Sequence, residues 1–249
     1  MRLDVYMTEN GLVPSRAKAQ EMIKNGCVSV GGKTVIKPSW EVCESDEVSL
    51  CENPLQRYVG RGGLKLEYAL DRFGISVKGA VAVDIGASSG GFTDCLLKKG
   101  AAFVYAVDSG EGQLHPTLLS DSRVENREHT NARYLRREDF DKTPKVVVMD
   151  VSFISQTLIL PSVADVLKGG GMLITLIKPQ FELEKGALGK GGVVKTEKLR
   201  LRALERVKTA AAALGFKLLN VIECAVHGGD GNIEYLAAFT LDQGESEGL

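Results

Sequence analysis

Four charged residues stand where apolar runs begin or end. Asp150 follows Val146-Val147-Val148-Met149, Lys178 follows Met172-Leu173-Ile174-Thr175-Leu176-Ile177, and Glu234 opens a last apolar run. Lys65 sits just beyond a Gly/Arg-rich stretch. In open α/β sheets ligands bind outside the carboxyl ends of the strands, so reacting groups belong at such positions. A lysine desolvated beside a second cation can become a base near neutral pH. Taken singly, each residue has a plainer reading: Asp150 as a strand-end cap, either lysine as a solvated charge, Glu234 as an acid that protects an edge strand from aggregation. Together they form a candidate acid–base group.

A second set of residues suggests what that group works beside. The turn Asp84-Ile85-Gly86-Ala87-Ser88-Ser89-Gly90-Gly91-Phe92 directly follows the apolar run Ala80-Val81-Ala82-Val83. An apolar strand ending in acid-x-Gly-x-x-x-Gly-Gly lets bare backbone approach a nucleoside cofactor. The spacing is not the G-x-G-x-x-G of a dinucleotide site, and no Lys-Ser or Lys-Thr follows the glycines as a phosphate-cradling loop requires. Asp108 ends Phe103-Val104-Tyr105-Ala106-Val107, about 20 residues beyond the turn, where an acid can accept both ribose hydroxyls of an adenosine. The turn and Asp108 read as a site for S-adenosyl-L-methionine, with Asp84, Gly86, Ala87, Ser88, Gly90, Gly91, Phe92 and Asp108 as its wall.

The elements that must position these residues follow from the rest of the chain. From Leu64 onward helix and strand alternate: helix 65–73, strand 81–84, helix 91–99, strand 103–107, strand near 146–150, helix near 155–167, strand 172–177, helix 196–214 and strands 218–224 and 234–241. This pattern predicts an α/β domain with a mostly parallel, Rossmann-like seven-stranded sheet covered on both faces. The close final pair, joined through Gly228-Gly229-Asp230-Gly231-Asn232, suggests one antiparallel edge strand.

The first 53 residues differ. A short helix beginning at Arg2 is stopped by Gly11, and Ser15 caps a second helix through Lys24, with Ala17, Ala19, Met22 and Ile23 on its inner face. Three short strands follow, with Gly31-Gly32 as a hairpin turn. Residues 1–40 carry six bases against three acids, a net charge of +3. The organisation expected is therefore an α+β module over 1–53, a linker over 54–64 and the α/β domain over 65–249.

Composition narrows the class. The 249 residues, 44% of them hydrophobic, can bury a core, and 31 basic against 32 acidic residues leave any polyanion to a local patch. Five cysteines without a C-x-x-C pair read as reduced cytoplasmic thiols and offer no zinc site, and the three histidines have no metal-like spacing. The apolar runs fall short of the roughly 20 residues of a membrane span, so no membrane partner is expected.

Two resemblances sharpen the reading. Arg2-Leu3-Asp4, Ser15-Arg16, Ala19, Ile23, Gly26, Val28, Val30 and Gly31-Gly32 resemble the RNA-binding module first known from the fourth protein of the small ribosomal subunit. The resemblance marks Arg2, Arg16, Lys18 and Lys33 as RNA contacts. Arg57 and Arg61 in the linker, and Lys190 in the Gly-rich 185–195 stretch, are further candidates for phosphate. The plainer reading is solvated charge and an ordinary loop. Lys65, Asp150, Lys178 and Glu234 together resemble the Lys-Asp-Lys-Glu tetrad of FtsJ-type ribose 2′-O-methyltransferases. The stretches 61–66, 84–92, 130–133, 150–155, 176–182 and 231–235 are similar to the TlyA-type rRNA methyltransferases, also described as hemolysins.

That resemblance implies methyl transfer from S-adenosyl-L-methionine to the 2′-hydroxyl of a cytidine in ribosomal RNA, at the large-subunit site of the family's shorter members. It implies Lys178 as base, Lys65 depressing its pKa and holding the hydroxyl, Asp150 orienting Lys178, and Glu234 fixing the lysines. Asn131 and Asp150 join the cofactor wall. The partner implied is ribosomal RNA or a ribosomal subunit in the cytoplasm, and no pattern specifies an oligomer. A noncatalytic RNA-binding assembly factor, or a cytolysin as the family's other name suggests, are the alternatives.

Overall fold

The computed structural model describes residues 1–24, 26–43, 45–50, 57–226 and 231–242. It divides into two compact units, Met1–Arg57 and Tyr58–Leu249. Residues 51–53 of the expected module, 54–56 of the expected linker, Gly228–Asp230 of the expected connection and His227 lie outside the described residues.

In the first unit, helices α1 (Leu3–Glu9) and α2 (Arg16–Lys24) pack on a small antiparallel sheet of β1 (Val28–Val30), β2 (Lys33–Thr34) and β3 (Val48–Leu50), in the order β2-β1-β3. Leu3, Met7, Ala19, Ile23 and Val28 form its buried centre. Ser15 Oγ accepts from Lys18 N at 3.3 Å at the start of α2. Ala17, expected on the inner face, is exposed, because the buried stripe of so short a helix is filled by Ala19, Met22 and Ile23.

The second unit begins with helix α3 (Gly62–Phe73), three residues earlier than expected. Its strands are β4 (Val81–Ile85), β5 (Phe103–Val107), β6 (Val124–Arg127), β7 (Val146–Met149), β8 (Gly171–Ile177), β9 (Phe216–Glu223) and β10 (Tyr235–Leu241). Between them lie helices α4 (Gly91–Lys98), α5 (Pro116–Leu119), α6 (Leu160–Val166), α7 (Pro179–Glu182) and α8 (Glu197–Ala213). The sheet order is β6-β5-β4-β7-β8-β10-β9. β4 to β8 run parallel, while β10 is antiparallel to both β8 and β9.

Two expectations are corrected here. The antiparallel strand is interior, not at the edge. The reason is burial: Leu236, Ala237, Ala238 and Phe239 of β10 are essentially inaccessible and need cover on both faces, whereas β9 exposes Leu218 and Leu219. Glu234 therefore does not guard a sheet edge. The seventh strand is β6, whose Val-Glu-Asn-Arg sequence carries one apolar residue and no period-2 signal, so only its pairing with β5 reveals it.

Alternating side chains of each strand feed two cores. Ala82, Val104, Val148 and Ile174 pack under α3 and α4 through Leu66, Leu70, Phe92 and Leu96. Val83, Tyr105, Val147 and Leu173 pack on the opposite face against Leu160 and Val163 of α6 and Leu204 and Val207 of α8. This two-sided burial aligns the carboxyl ends of β4, β5, β7 and β8, together with the start of the reversed β10, along one rim.

Candidate active site

Asp84 lies inside β4, fully buried, and its Oδ2 accepts from Thr93 Oγ1 at 2.7 Å. Oδ1 has no hydrogen-bond partner within the protein. Burial pushes the carboxyl up to about 7; the Thr93 bond opposes this, and the nearby charge of Asp150 adds to it. An uncompensated acceptor at this turn suits a ligand that brings a donor or a positive charge.

The glycines of the turn have a structural reason distinct from the one expected. Gly86 has φ +83°, and an added Cβ would collide with the carbonyl oxygen of Asp150. Gly90 has φ +91°, and its Cβ would meet Leu118. Gly91 likewise lies against the backbone of Gly60 and Gly63. These glycines let the turn close against the β7 exit and α3, which fixes where Asp150 stands.

Asp108 sits just past β5. Its Oδ2 accepts from Ser88 N and its Oδ1 from Gly110 N, each at 2.8 Å. These amides hold the carboxylate rigidly while leaving lone pairs for two hydroxyl donors. Asn131 Oδ1 caps the following turn by accepting from Arg133 N at 3.1 Å. A cavity of about 390 Å³ runs along this rim, lined among others by Gly86, Ser88, Asp108, Asn131, Asp150 and Phe153. That is the size of a small-molecule site. A second cavity of about 200 Å³ adjoins it, sharing Gly86, Ser88, Asp150 and Ser152 and adding Ala87, Phe92 and Lys178.

The candidate tetrad forms two ion pairs. Lys178 Nζ is 2.6 Å from Asp150 Oδ1, as an ion pair rather than an aligned hydrogen bond, and it donates to Ser152 Oγ at 2.9 Å. Lys65 Nζ donates to Glu234 Oε2 at 2.6 Å, with both side chains nearly inaccessible. The register explains the assembly. Tyr235 opposes Ile177 across β10 and β8, so the residues beyond them, Glu234 and Lys178, leave adjacent strands at the same rim. α3 enters this rim through Gly62, whose missing Cβ would stand 4.0 Å from Asp150 Oδ2.

Two residues beyond the expected set belong to this rim. Ser152 accepts from Lys178 Nζ and so gives it a second partner beside Asp150. Phe153 has φ +64°, is 91% exposed, lines the larger cavity and leans on Phe181 with ring centroids 5.1 Å apart. Both lie in the Asp150–Ser155 stretch, but a Ser and a Phe after a strand carry no chemical signal of their own.

In the first unit, Arg2 Nε lies 2.9 Å from Asp4 Oδ1 and Arg16 Nε 3.0 Å from Asp4 Oδ2, with both guanidiniums about half exposed and Asp4 buried. The Arg2 contact above all, helped by Gln20 and Arg16, holds the Asp4 carboxyl well below the usual range against the opposing effect of burial. Two guanidiniums thus share one permanent carboxylate and keep a net positive charge in a fixed fork. Lys18 pairs with Glu21 at 3.1 Å, and Lys33 is exposed on β2. Arg57 and Arg61 are exposed, Arg61 directly preceding α3, and the side chain of Lys190 lies outside the description.

Among the described residues no cluster of three or more His, Cys, Asp or Glu is arranged to hold a metal, and no helix is long and apolar enough to cross a membrane.

Comparison with known proteins identifies the family of each unit. The model of the FtsJ-like methyltransferase family matches residues 58–241, and that of the S4 domain matches residues 1–48. Hemolysin A of Brachyspira hyodysenteriae is 45% identical over 97% of this chain and 100% of its own. The 16S/23S rRNA (cytidine-2′-O)-methyltransferase TlyA of Mycobacterium tuberculosis is 39% identical over 94% of this chain and 87% of its own. The 23S rRNA (cytidine-2′-O)-methyltransferase TlyA of Campylobacter jejuni is 34% identical over 94% of this chain and 97% of its own. A solved Streptococcus thermophilus structure carrying the hemolysin name superposes with a TM-score of 0.74 at 40% identity, covering 99% of this chain and 91% of that one.

Proposed function

The chain belongs to the FtsJ-like methyltransferase family, and from that footing we propose that it methylates the ribose 2′-hydroxyl of a cytidine in large-subunit ribosomal RNA. When bound, S-adenosyl-L-methionine supplies an electrophilic sulfonium methyl. Asp108, Ser88 and Asn131 would hold its nucleoside end, and Asp84 and the Gly86 turn the end nearer Asp150. The observation that carries the reading is Lys178 Nζ, in the wall of the smaller cavity, held by Asp150 and Ser152, which line both adjoining cavities.

A ribose hydroxyl is a weak acid, and a positioned base must take its proton as the new bond forms. Having first released its own proton to solvent, Lys178 Nζ takes the hydroxyl proton as an amine; Ser152 and Asp150 fix the direction of Nζ, and the Asp150 carboxylate stabilises the ammonium that results. The buried Lys65–Glu234 pair holds a second cation at the rim, where Lys65 can orient the hydroxyl oxygen. Phe153 presents an exposed ring at the mouth of the site, suited to stack on the base of the nucleotide being modified. The Arg2–Asp4–Arg16 fork grips phosphate and sets register without reading the base. A protein with this substrate works in the cytoplasm, among the ribosomal subunits.

The test is transfer of labelled methyl from S-adenosyl-L-methionine to unmodified ribosomal subunits by the full chain. Label recovered in large-subunit RNA at a cytidine whose 3′ phosphodiester resists alkali is the expected result. Cofactor binding without transfer to either subunit would replace this reading with a noncatalytic RNA-binding one. Lysis of cells by nucleic-acid-free protein without methyl donor would point to the cytolysin reading.

A further inference from the structure

Phe153 poses a physical problem. A bulky side chain at φ +64° is a genuine backbone outlier, and a ring 91% exposed gains little from packing to hold it there. Such a conformation persists only where its surroundings over-determine it. On one side the constraint is visible in the site itself: Lys178 holds Asp150 and Ser152, and Phe181 supports the Phe153 ring.

The other side is held by a residue outside the tetrad and outside both cavities. Glu182, the last residue of α7 and four beyond Lys178, is 1% exposed. Its Oε2 accepts from Ser155 Oγ at 2.5 Å and its Oε1 from Gln156 N at 2.8 Å. Its own carbonyl accepts from Arg206 Nη1 of α8 at 2.7 Å. Gln156 continues the tie inward, donating through Nε2 to Leu176 O at 2.6 Å and accepting from Thr175 Oγ1 at 2.8 Å. The turn that leaves β7 with Asp150 and the turn that leaves β8 with Lys178 are therefore joined at both ends, by the Lys178 contacts at the cavity and by Glu182 behind it.

We infer that Glu182 is a positioning residue for methyl transfer, clamping the Asp150–Gln156 turn so that Ser152 and Phe153 are presented to the acceptor nucleotide and Lys178 stays aligned with Asp150. This rests on the methyl-transfer reading. A carboxyl here is costly. Burial raises its pKa, an effect that Ser155, the Gln156 amide and Arg206 offset in that order, so plain packing would be better served by an apolar side chain. What only a two-headed polar group supplies is two hydrogen-bonding atoms at fixed separation. Glutamine supplies them too, with an oxygen for the Gln156 amide and an NH₂ for the Ser155 hydroxyl.

The experiment compares Glu182→Ala, Glu182→Gln and Ser155→Ala with wild type in the full chain, by local hydrogen exchange and by turnover. In Glu182→Ala, exchange at 151–156 should rise about tenfold or more while strands β4 and β7 stay protected, as expected for a local opening. Methyl-transfer kcat should fall about tenfold or more, because small misplacements of reacting groups are expensive, with KM for S-adenosyl-L-methionine within about threefold of wild type. Glu182→Gln should restore both readouts to within about threefold of wild type, and Ser155→Ala should shift both in the direction of Glu182→Ala by less. Unchanged exchange at 151–156 in Glu182→Ala overturns the inference even if no substrate is ever found. So does a wild-type kcat in Glu182→Ala, or a Glu182→Gln variant as impaired as Glu182→Ala. Inactivity of wild type itself would instead count against the methyl-transfer reading, leaving the exchange data to judge the clamp.

Discussion

Replacing Asp84 by asparagine should change how stability depends on pH. The buried carboxyl titrates near 7 rather than at its ordinary 3.8, chiefly because burial disfavours its charge. The unfolded chain releases this proton near the ordinary value and the folded chain holds it until about pH 7. Across that window the unfolded state binds fewer protons, so the free energy of unfolding falls as pH rises, then levels off. A difference of roughly three units at about 1.36 kcal/mol each amounts to about 4 kcal/mol. Asp84→Asn keeps an oxygen for the Thr93 hydroxyl and carries no charge. Its stability relative to wild type should therefore be near parity at pH 4 and climb by up to about 4 kcal/mol by pH 8. The assay is denaturant unfolding of both proteins without cofactor at several pH values. Far-UV circular dichroism should follow it, because the single tryptophan, Trp40, lies in the first unit and reports on that unit. A gap between the two proteins that stays constant from pH 4 to pH 8 would refute the reasoning.

Glu234→Ala leaves Lys65 buried without its partner and should destabilise the second unit by about 3–5 kcal/mol, whereas Lys65→Met with Glu234→Leu should recover most of that loss and remain inactive; thermal melts of the single and double variants check both. Phe153→Gly relieves the strained backbone and should raise stability by about 1 kcal/mol, while raising KM for RNA and leaving the affinity for S-adenosyl-L-methionine unchanged by calorimetry. Gly86→Ala meets both a φ of +83° and the Asp150 carbonyl, so it should displace the β7 exit and weaken cofactor binding about tenfold or more, read by the same calorimetry.

What the sequence made legible was chemistry with a local signature. The acid-x-Gly-x-x-x-Gly-Gly turn needs glycine wherever it occurs, and Asp108, Asp150 and Lys178 interrupt apolar runs where strands end. What it hid depends on contacts between distant segments. Which carboxylate serves which lysine is decided by β10 entering between β8 and β9, and short apolar strands do not encode their order in the sheet. β6 is held by its ladder with β5 rather than by any hydrophobic pattern of its own. Glu182 looks like a surface acid next to Phe181, and only the fold brings Ser155 and Gln156 to it from 27 and 26 residues away. Lys18 reads as a free cation in sequence, yet on the helix surface Glu21, three residues on, is its neighbour.

The most direct test of the central claim is the fate of label on one ribose. Wild type and Lys178→Ala should bind S-adenosyl-L-methionine equally by calorimetry. Wild type alone should then leave labelled methyl on a cytidine 2′-oxygen of large-subunit RNA, with the variant slowed about 100-fold or more, the usual worth of a positioned base. Label on a base nitrogen or carbon, or a Lys178→Ala enzyme that transfers at the wild-type rate, would contradict the account.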